Sequence, residues 1–374
     1  MKFTVANSTL LSCLQMAGKV VAPNNLVPIL ENFLVVIEDN KLTVTGSNLE
    51  NSITSSIEIE STGSNLTIAL PARLIIDTLR TFPDEPIEFN INEDNMEVVI
   101  RSSSAEYNFI GLRGNDFPQT IDLDSSCNSF TAPANVLLTG ISKTITSTAI
   151  DDIRPTMTGI NITIDSAQLT FVATDAHKLT RYAYKDIKSD DAKSFILPKK
   201  TALLLKNIIS PNDSSEISIT FDDKNVIFRN SVFSLVCRQV EGKFPNCNSV
   251  IPKNNPFEMI IDKESLRNSI RRIMVFANTS TYLIKMHIAG NLLEITTQDV
   301  DTGRSGREQI SCQYNGDELN IGFRAPQVAD ILSSIDSENV KIHLADASRA
   351  AIFLPFETTE NEELLNLVMP MLIN

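Results

Sequence analysis

The chain repeats itself at an interval of 127 residues, and that repeat constrains the fold more than any local pattern does. Phe3 opens FTVANSTLLSCL, Phe130 opens FTAPANVLLTGI, and Phe257 opens FEMIIDKESLRNSI. The same offset carries Leu70-Pro71 to Leu197-Pro198, Ile37…Leu42 to Ile164…Leu169, and Phe117-Pro118 to Phe244-Pro245. The third copy drifts by a few residues, with IAGNLLEI at 288–295 against IEDNKLTV at 37–44, and FRAPQVADIL against LPARLIIDTL. A chain of 374 residues is long enough for two or three domains with cores of their own. The repeat selects three in tandem, at 1–124, 125–252 and 253–374, divided in the polar stretches PQTIDLDSSCN and IPKNNP.

Within each repeat the hydrophobic period changes in a fixed order. A short alternating strand (Lys2–Ala6, Phe257–Ile261) leads into a 3.6-period segment such as Leu10, Leu11, Leu14 or Leu266, Ile270, Met274. Ser8 and Asp262 stand where helix N-caps are expected. Period-2 hairpins around Asp, Asn and Gly turns follow, then a second helix with Pro71, Pro198 or Pro326 near its first turn, then a closing hairpin. The expected architecture is α+β: three equal domains, each an antiparallel sheet carrying two helices on one face.

Charge is segregated by element. The whole chain is acidic, with 32 basic against 46 acidic residues and a net charge of −14. The six expected helices (8–21, 72–82, 133–148, 199–209, 263–277 and 324–335) nevertheless hold twelve basic residues and only three acidic ones, Asp77, Glu264 and Asp330. An amphipathic helix packed on a sheet turns its polar side to solvent, so these cations form one layer. For one helix this is an ordinary solvated face; repeated six times, it suits a polyanion held at one surface by counterion release and repelled elsewhere.

Other chemistry finds little purchase. Five scattered cysteines without a CxxC pair indicate neither a disulfide framework nor a zinc site. The start of the chain lacks a continuous apolar segment, and no later run approaches ~18 apolar residues, so a cytoplasmic protein is expected. The absence of Trp argues against aromatic stacking of single strands. Asp301-Thr302-Gly303 spells the DTG of aspartic proteases, but no second DTG or DSG supplies the partner carboxylate. His177, His287 and His343 lie in no metal or nucleophile motif. No catalytic residue, cofactor or metal is expected.

The three repeats, the segments TDAHKL (174–179) and EGKFP (241–245), and the terminal VMPM (368–371) together resemble the bacterial DNA polymerase III β subunit, the replication sliding clamp, over the whole chain. The resemblance implies a non-catalytic DNA clamp: a ring-forming homodimer whose helices face duplex DNA and which tethers the replicative polymerase for processivity. It implies DNA contact through Lys19, Arg73, Arg80, Lys143, Arg154, Lys199, Lys200, Lys206, Arg267 and Arg271. The partners would be double-stranded DNA, the polymerase III alpha subunit, the clamp loader, and other replication and repair proteins, with no membrane. Protein partners would insert a short hydrophobic peptide into a pocket of Met157, Thr174, Ala176, His177, Lys178, Leu179, Pro245, Val250, Ser348, Ala350, Met369, Pro370 and Met371. Tyr107 and Phe109, and Val275 and Phe276, would meet across the dimer interface. The rival reading is a non-DNA interaction scaffold built from the same triple repeat.

The chain also departs from the family. Family members commonly carry Gly and Arg where Ala176 and Lys178 stand, and Arg at Ser249 and Asn24. Asp151 and Asp152 lie close to the expected DNA path, where carboxylates oppose phosphates.

Overall fold

In the computed structural model, which describes all residues except 24, 25, 63, 64, 124–126, 152 and 374, the strands of each repeat divide between two sheets. The expectation of one sheet per repeat is corrected accordingly. Contacts group the chain into two compact units: Met1–Ala134 with Asn207–Gln239, and Asn135–Lys206 with Val240–Asn374. The second repeat is shared between them.

The first unit holds a five-stranded sheet in the order Glu60–Thr62, Lys2–Ala6, Pro86–Ile91, Glu97–Arg101, Glu106–Ile110. Its second sheet has nine strands, and joins the first repeat to the second where Asn51–Glu58 pairs antiparallel with Ser234–Arg238. Alternation puts Phe3, Phe89, Val98 and Ile100 of one sheet and Phe33, Val35, Val44 and Ile68 of the other in one core, where the Phe3 and Phe89 rings stack at 4.7 Å.

The second unit repeats the plan. A nine-stranded sheet joins the second and third repeats where Lys178–Tyr184 pairs with Glu362–Val368, in a register running from Lys178 opposite Val368 to Tyr184 opposite Glu362. A four-stranded sheet follows, in the order Arg304–Ser311, Leu292–Asp299, Leu283–Ala289, Leu319–Arg324.

The helices are α1 (Asn7–Gly18), α2 (Ala72–Leu79), α3 (Ala134–Thr144), α4 (Lys199–Ile208), α5 (Lys263–Met274) and α6 (Ala325–Ser333). All six expected helices form, and most end a few residues early. After α3 the chain tightens into a 3₁₀ turn at Ile145–Ser147, while Lys19 and Arg80 fall just past their helices. Asp262 caps α5 by accepting from the Ser265 amide at 2.7 Å. Ser8 is not a cap: it lies inside α1, and its amide donates to Asp84 Oδ1 at 3.1 Å. Asn7 instead ties the start of α1 to the end of α2, donating to Leu79 O and Phe82 O at 3.1 and 3.2 Å. Gly140 is required in α3, because a Cβ there would sit 2.5 Å from the Phe171 ring.

Candidate functional site: cationic helices, an apolar cleft and two sheet edges

The helix cations divide by how far their charge is already engaged. Arg73 and Arg80 flank Asp77 at 3.6 and 3.5 Å, and Arg267 pairs with Glu264. The exposed Arg73 and Arg80 pairs hold little energy and leave the guanidinium groups able to meet a phosphate, whereas Arg267 is mostly covered. Lys143 is different, being largely buried and paired with Asp336. Lys19 donates to the Asn207 carbonyl, and partial burial pulls its ammonium pKa down. Arg272 forms a two-pronged bond with Glu308, 2.8 Å at Nε, which holds it against the outer strand Arg304–Ser311. Among the described residues Lys199, Lys206 and Arg271 have no ion-pair partner, and Lys200 is exposed beside Lys199 at the start of α4. Arg154 lies outside the helices and reaches the Asp175 carbonyl at 3.5 Å. Of the acidic loop, Asp151 is exposed and accepts from the Ile153 amide; Asp152 and Asn24 lie outside the described residues.

All thirteen residues assigned to the peptide pocket fall in the second unit. In that unit Leu179, Ala350 and Leu367 are buried together, with Val172, Leu365, Cys247 and Ile251 half-buried around them. Burial pushes the Cys247 thiol up to about 11, so it remains an uncharged, apolar wall at neutral pH. The turn before Leu179 is tightly specified. Asp175 Oδ1 accepts from the amides of His177 and Lys178 at 2.9 and 2.8 Å, and the Thr174 hydroxyl donates to Lys178 O at 2.8 Å. These bonds hold Ala176 at φ 74°, the left-handed region where the family's Gly would carry no strain. Met157 sits on a neighbouring turn, donating its amide to Arg154 O at 2.9 Å. Pro245 is half-buried, Val250 and His177 are exposed, and Ser348 is fixed to Asp346 Oδ1 by its amide at 2.9 Å. At the end of the chain Met369 is partly exposed, and Met371 makes an antiparallel bridge to Gly322.

Lys178 does not fit the pocket as expected. Successive strand residues point to opposite faces, so with Leu179 on the cleft side the Lys178 side chain is carried to the helix side. There it is buried at 5% exposure and paired with Asp330 of α6. Only its backbone belongs to the cleft.

Each unit also has a sheet edge, paired on one side only, at or beside the residues expected in the dimer interface. Glu106–Ile110 closes the first sheet, with Tyr107 46% and Ile110 71% exposed, while Phe109 turns partly toward the core. In the second unit Arg304–Ser311 is the outer strand of the four-stranded sheet. Phe276 lies beside it, its Cβ 3.6 Å from where a Cβ on Gly306 would be, and Val275 and Phe276 are 69% and 45% exposed. Sequence reading named Val275 and Phe276 but missed this strand, whose polar alternation disguises it. It also missed Val172, Cys247 and Ile251, which pack against Leu179, Ala350 and Leu367.

Paired helices on antiparallel sheets, repeated three times in an acidic chain, define the DNA-clamp class. Residues 1–122, 131–246 and 248–372 match in turn the N-terminal, central and C-terminal domains of the DNA polymerase III beta subunit. The beta sliding clamp of Pseudomonas aeruginosa is 27% identical over 372 residues, covering 99% of this chain and 100% of that one. A P. aeruginosa sliding clamp structure superposes with a TM-score of 0.93 at 26% identity over the full length of both chains, and another, bound to griselimycin, with a TM-score of 0.92. The chain belongs to the DNA polymerase III beta subunit family, the bacterial sliding clamps, which are non-catalytic processivity factors. The scaffold reading finds no support among these relatives. No helix among the described residues is long and apolar enough to cross a membrane.

Proposed function

We propose that two copies of this chain, each divided at 1–124, 125–252 and 253–374, close head to tail into a ring that encircles duplex DNA. The observation that carries this reading is the charge split: in a chain of net charge −14, the segments 8–21, 72–82, 133–148, 199–209, 263–277 and 324–335, which hold the six helices and the residues at their ends, carry twelve basic and three acidic residues. A ring with those helices inward attracts phosphates within its hole and repels DNA outside it. Phosphate contacts carry no sequence information, so the ring binds without base preference and slides. Lys199, Lys206 and Arg271 supply the least encumbered charge; Lys200, Lys19, Arg73, Arg80, Arg154 and Arg267 add to it, and Lys143 contributes least because Asp336 already engages it.

Closure joins the strand edge carrying Tyr107 and Phe109 on one protomer to the edge beside Val275 and Phe276 on the other. Two edge strands, each paired on one side only, leave main-chain groups on the other that a heterologous contact satisfies. The cleft around Leu179, Ala350 and Leu367 takes a short hydrophobic peptide from the polymerase III alpha subunit, the clamp loader or repair proteins, with Met369, Pro370 and Met371 as one wall. The griselimycin-bound relative supports a ligand pocket on this fold. Primer extension on a long single-stranded circle tests the reading: adding this chain with its clamp loader lengthens the products of its polymerase, and unchanged product length rejects it.

A further inference from the structure

Three buried or half-buried ion pairs cross from the second repeat to the third inside the second unit: Lys143 with Asp336, Arg181 with Glu363, and Lys178 with Asp330. Lys178 stands apart in two ways. Its side chain is only 5% exposed, whereas that of Arg181 is 24% exposed, and its backbone is the last residue of the turn that delivers Leu179 to the cleft. A buried ammonium must be paired, so the position of Lys178 is bound to that of Asp330.

The bonds within residues 174–178 fix the shape of the turn but not its placement against the third repeat. Placement comes from the strand pairing that runs from Lys178 opposite Val368 to Tyr184 opposite Glu362, the Thr180 hydroxyl on Asn366 Oδ1 at 2.8 Å, the Met369 amide on the His177 carbonyl at 2.7 Å, and the Lys178–Asp330 pair. The first three belong to the strand Glu362–Val368 and the residue after it. The Lys178–Asp330 pair comes instead from α6, a helix with four buried apolar residues.

We infer that Lys178 is a positioning residue: through Asp330 it uses α6 to set where His177 and Leu179 stand in the partner cleft, without touching the peptide. The inference rests on the cleft being the peptide site. In this chain the cation at position 178 is therefore spent on cleft geometry, and peptide recognition proceeds without a cation from this position.

The test is fluorescence anisotropy with a short, uncharged, labelled peptide rich in Leu and Phe, titrated with the full-length protein. Lys178→Met keeps the length of the side chain and leaves Asp330, 45% exposed, in contact with water. It is expected to weaken peptide binding about ten-fold, in the range of coupling between contacting residues. Lys178→Arg, which keeps the charge, restores affinity to within about two-fold of the original by the same arithmetic. Asp330→Glu shifts the carboxylate by one methylene with all charges kept, and gives an intermediate loss; it serves if Lys178→Met does not fold. A strut important only for stability lowers the melting temperature and leaves the affinity of the folded protein unchanged. That result, with Lys178→Met or Asp330→Glu, overturns the inference while the cleft reading stands. Failure of the unmodified protein to bind the peptide overturns both.

Discussion

The amide of Met369 donates to the carbonyl of His177 at 2.7 Å, fastening the chain end to a turn of the second repeat. Two residues on, the Met371 amide donates to Gly322 O at 2.8 Å, so the end of the chain is held at two points. Deleting residues 369–374 removes both anchors and one wall of the cleft. Calorimetry with a polymerase-derived hydrophobic peptide is expected to show loss of binding, because buried anchors of this kind often carry more than ~2 kcal/mol each. The dimer is expected to survive. Equal affinity before and after truncation would remove the cleft assignment.

Changing Lys199 and Lys200 together to Glu replaces attraction by repulsion at the start of α4. Direct binding to duplex DNA is expected to weaken, and the slope of log affinity against log salt to become shallower by roughly one for each phosphate that is no longer neutralised. Sequence preference should not appear. An unchanged slope would mean that α4 does not face DNA.

Phe276→Asp places a charge at an apolar edge. The side chain is exposed in the protomer, so folding should be unaffected, whereas closure would bury an unpaired carboxylate. Light scattering is expected to give a dimer mass for the unmodified chain and a monomer mass for the variant. A variant that stays dimeric places the contact elsewhere.

Asp262 provides a stability test independent of partners. The Ser265 hydroxyl and amide beside it hold its carboxyl below the usual range. A depressed native pKa adds stability above the unfolded value of about 4, and this is lost as pH falls through the native one. Asp262→Ala is expected to cost about 1 kcal/mol at neutral pH, with the gap from the unmodified protein closing below about pH 4. Urea unfolding at both pH values checks it.

Ala176 offers the converse. At φ 74° an L residue carries strain of roughly 1–2 kcal/mol that glycine avoids, part of which glycine's greater unfolded-state freedom takes back. Ala176→Gly should therefore be neutral or modestly stabilising, and Ala176→Val destabilising. Thermal melts that rank Val above Gly would show that the turn does not hold this conformation.

Much of this was legible in the residues themselves. The 127-residue offset located three repeats because homologous strands and helices recur in one register, and Asp262 was readable as a cap because capping is local. Sheet membership was not readable. Whether Asn51–Glu58 pairs within its own repeat or with Ser234–Arg238 depends on surfaces far apart in the chain. The same reason hid Asp330, 152 residues from Lys178: nothing local tells a buried lysine in search of a carboxylate from an exposed one in search of a ligand. Ser8 misled because Asp84, from another turn, takes the capping role it was expected to fill.

The central claim is a closed ring around DNA, and topology tests it most directly. The protein is loaded onto nicked circular duplex by its clamp loader, washed in high salt to screen phosphate attraction, and then the circle is cut once at a single restriction site. A ring stays on the circle through the salt wash and leaves when the DNA gains ends. Retention that is the same on circular and linear DNA, or that the salt wash alone abolishes, would contradict the account.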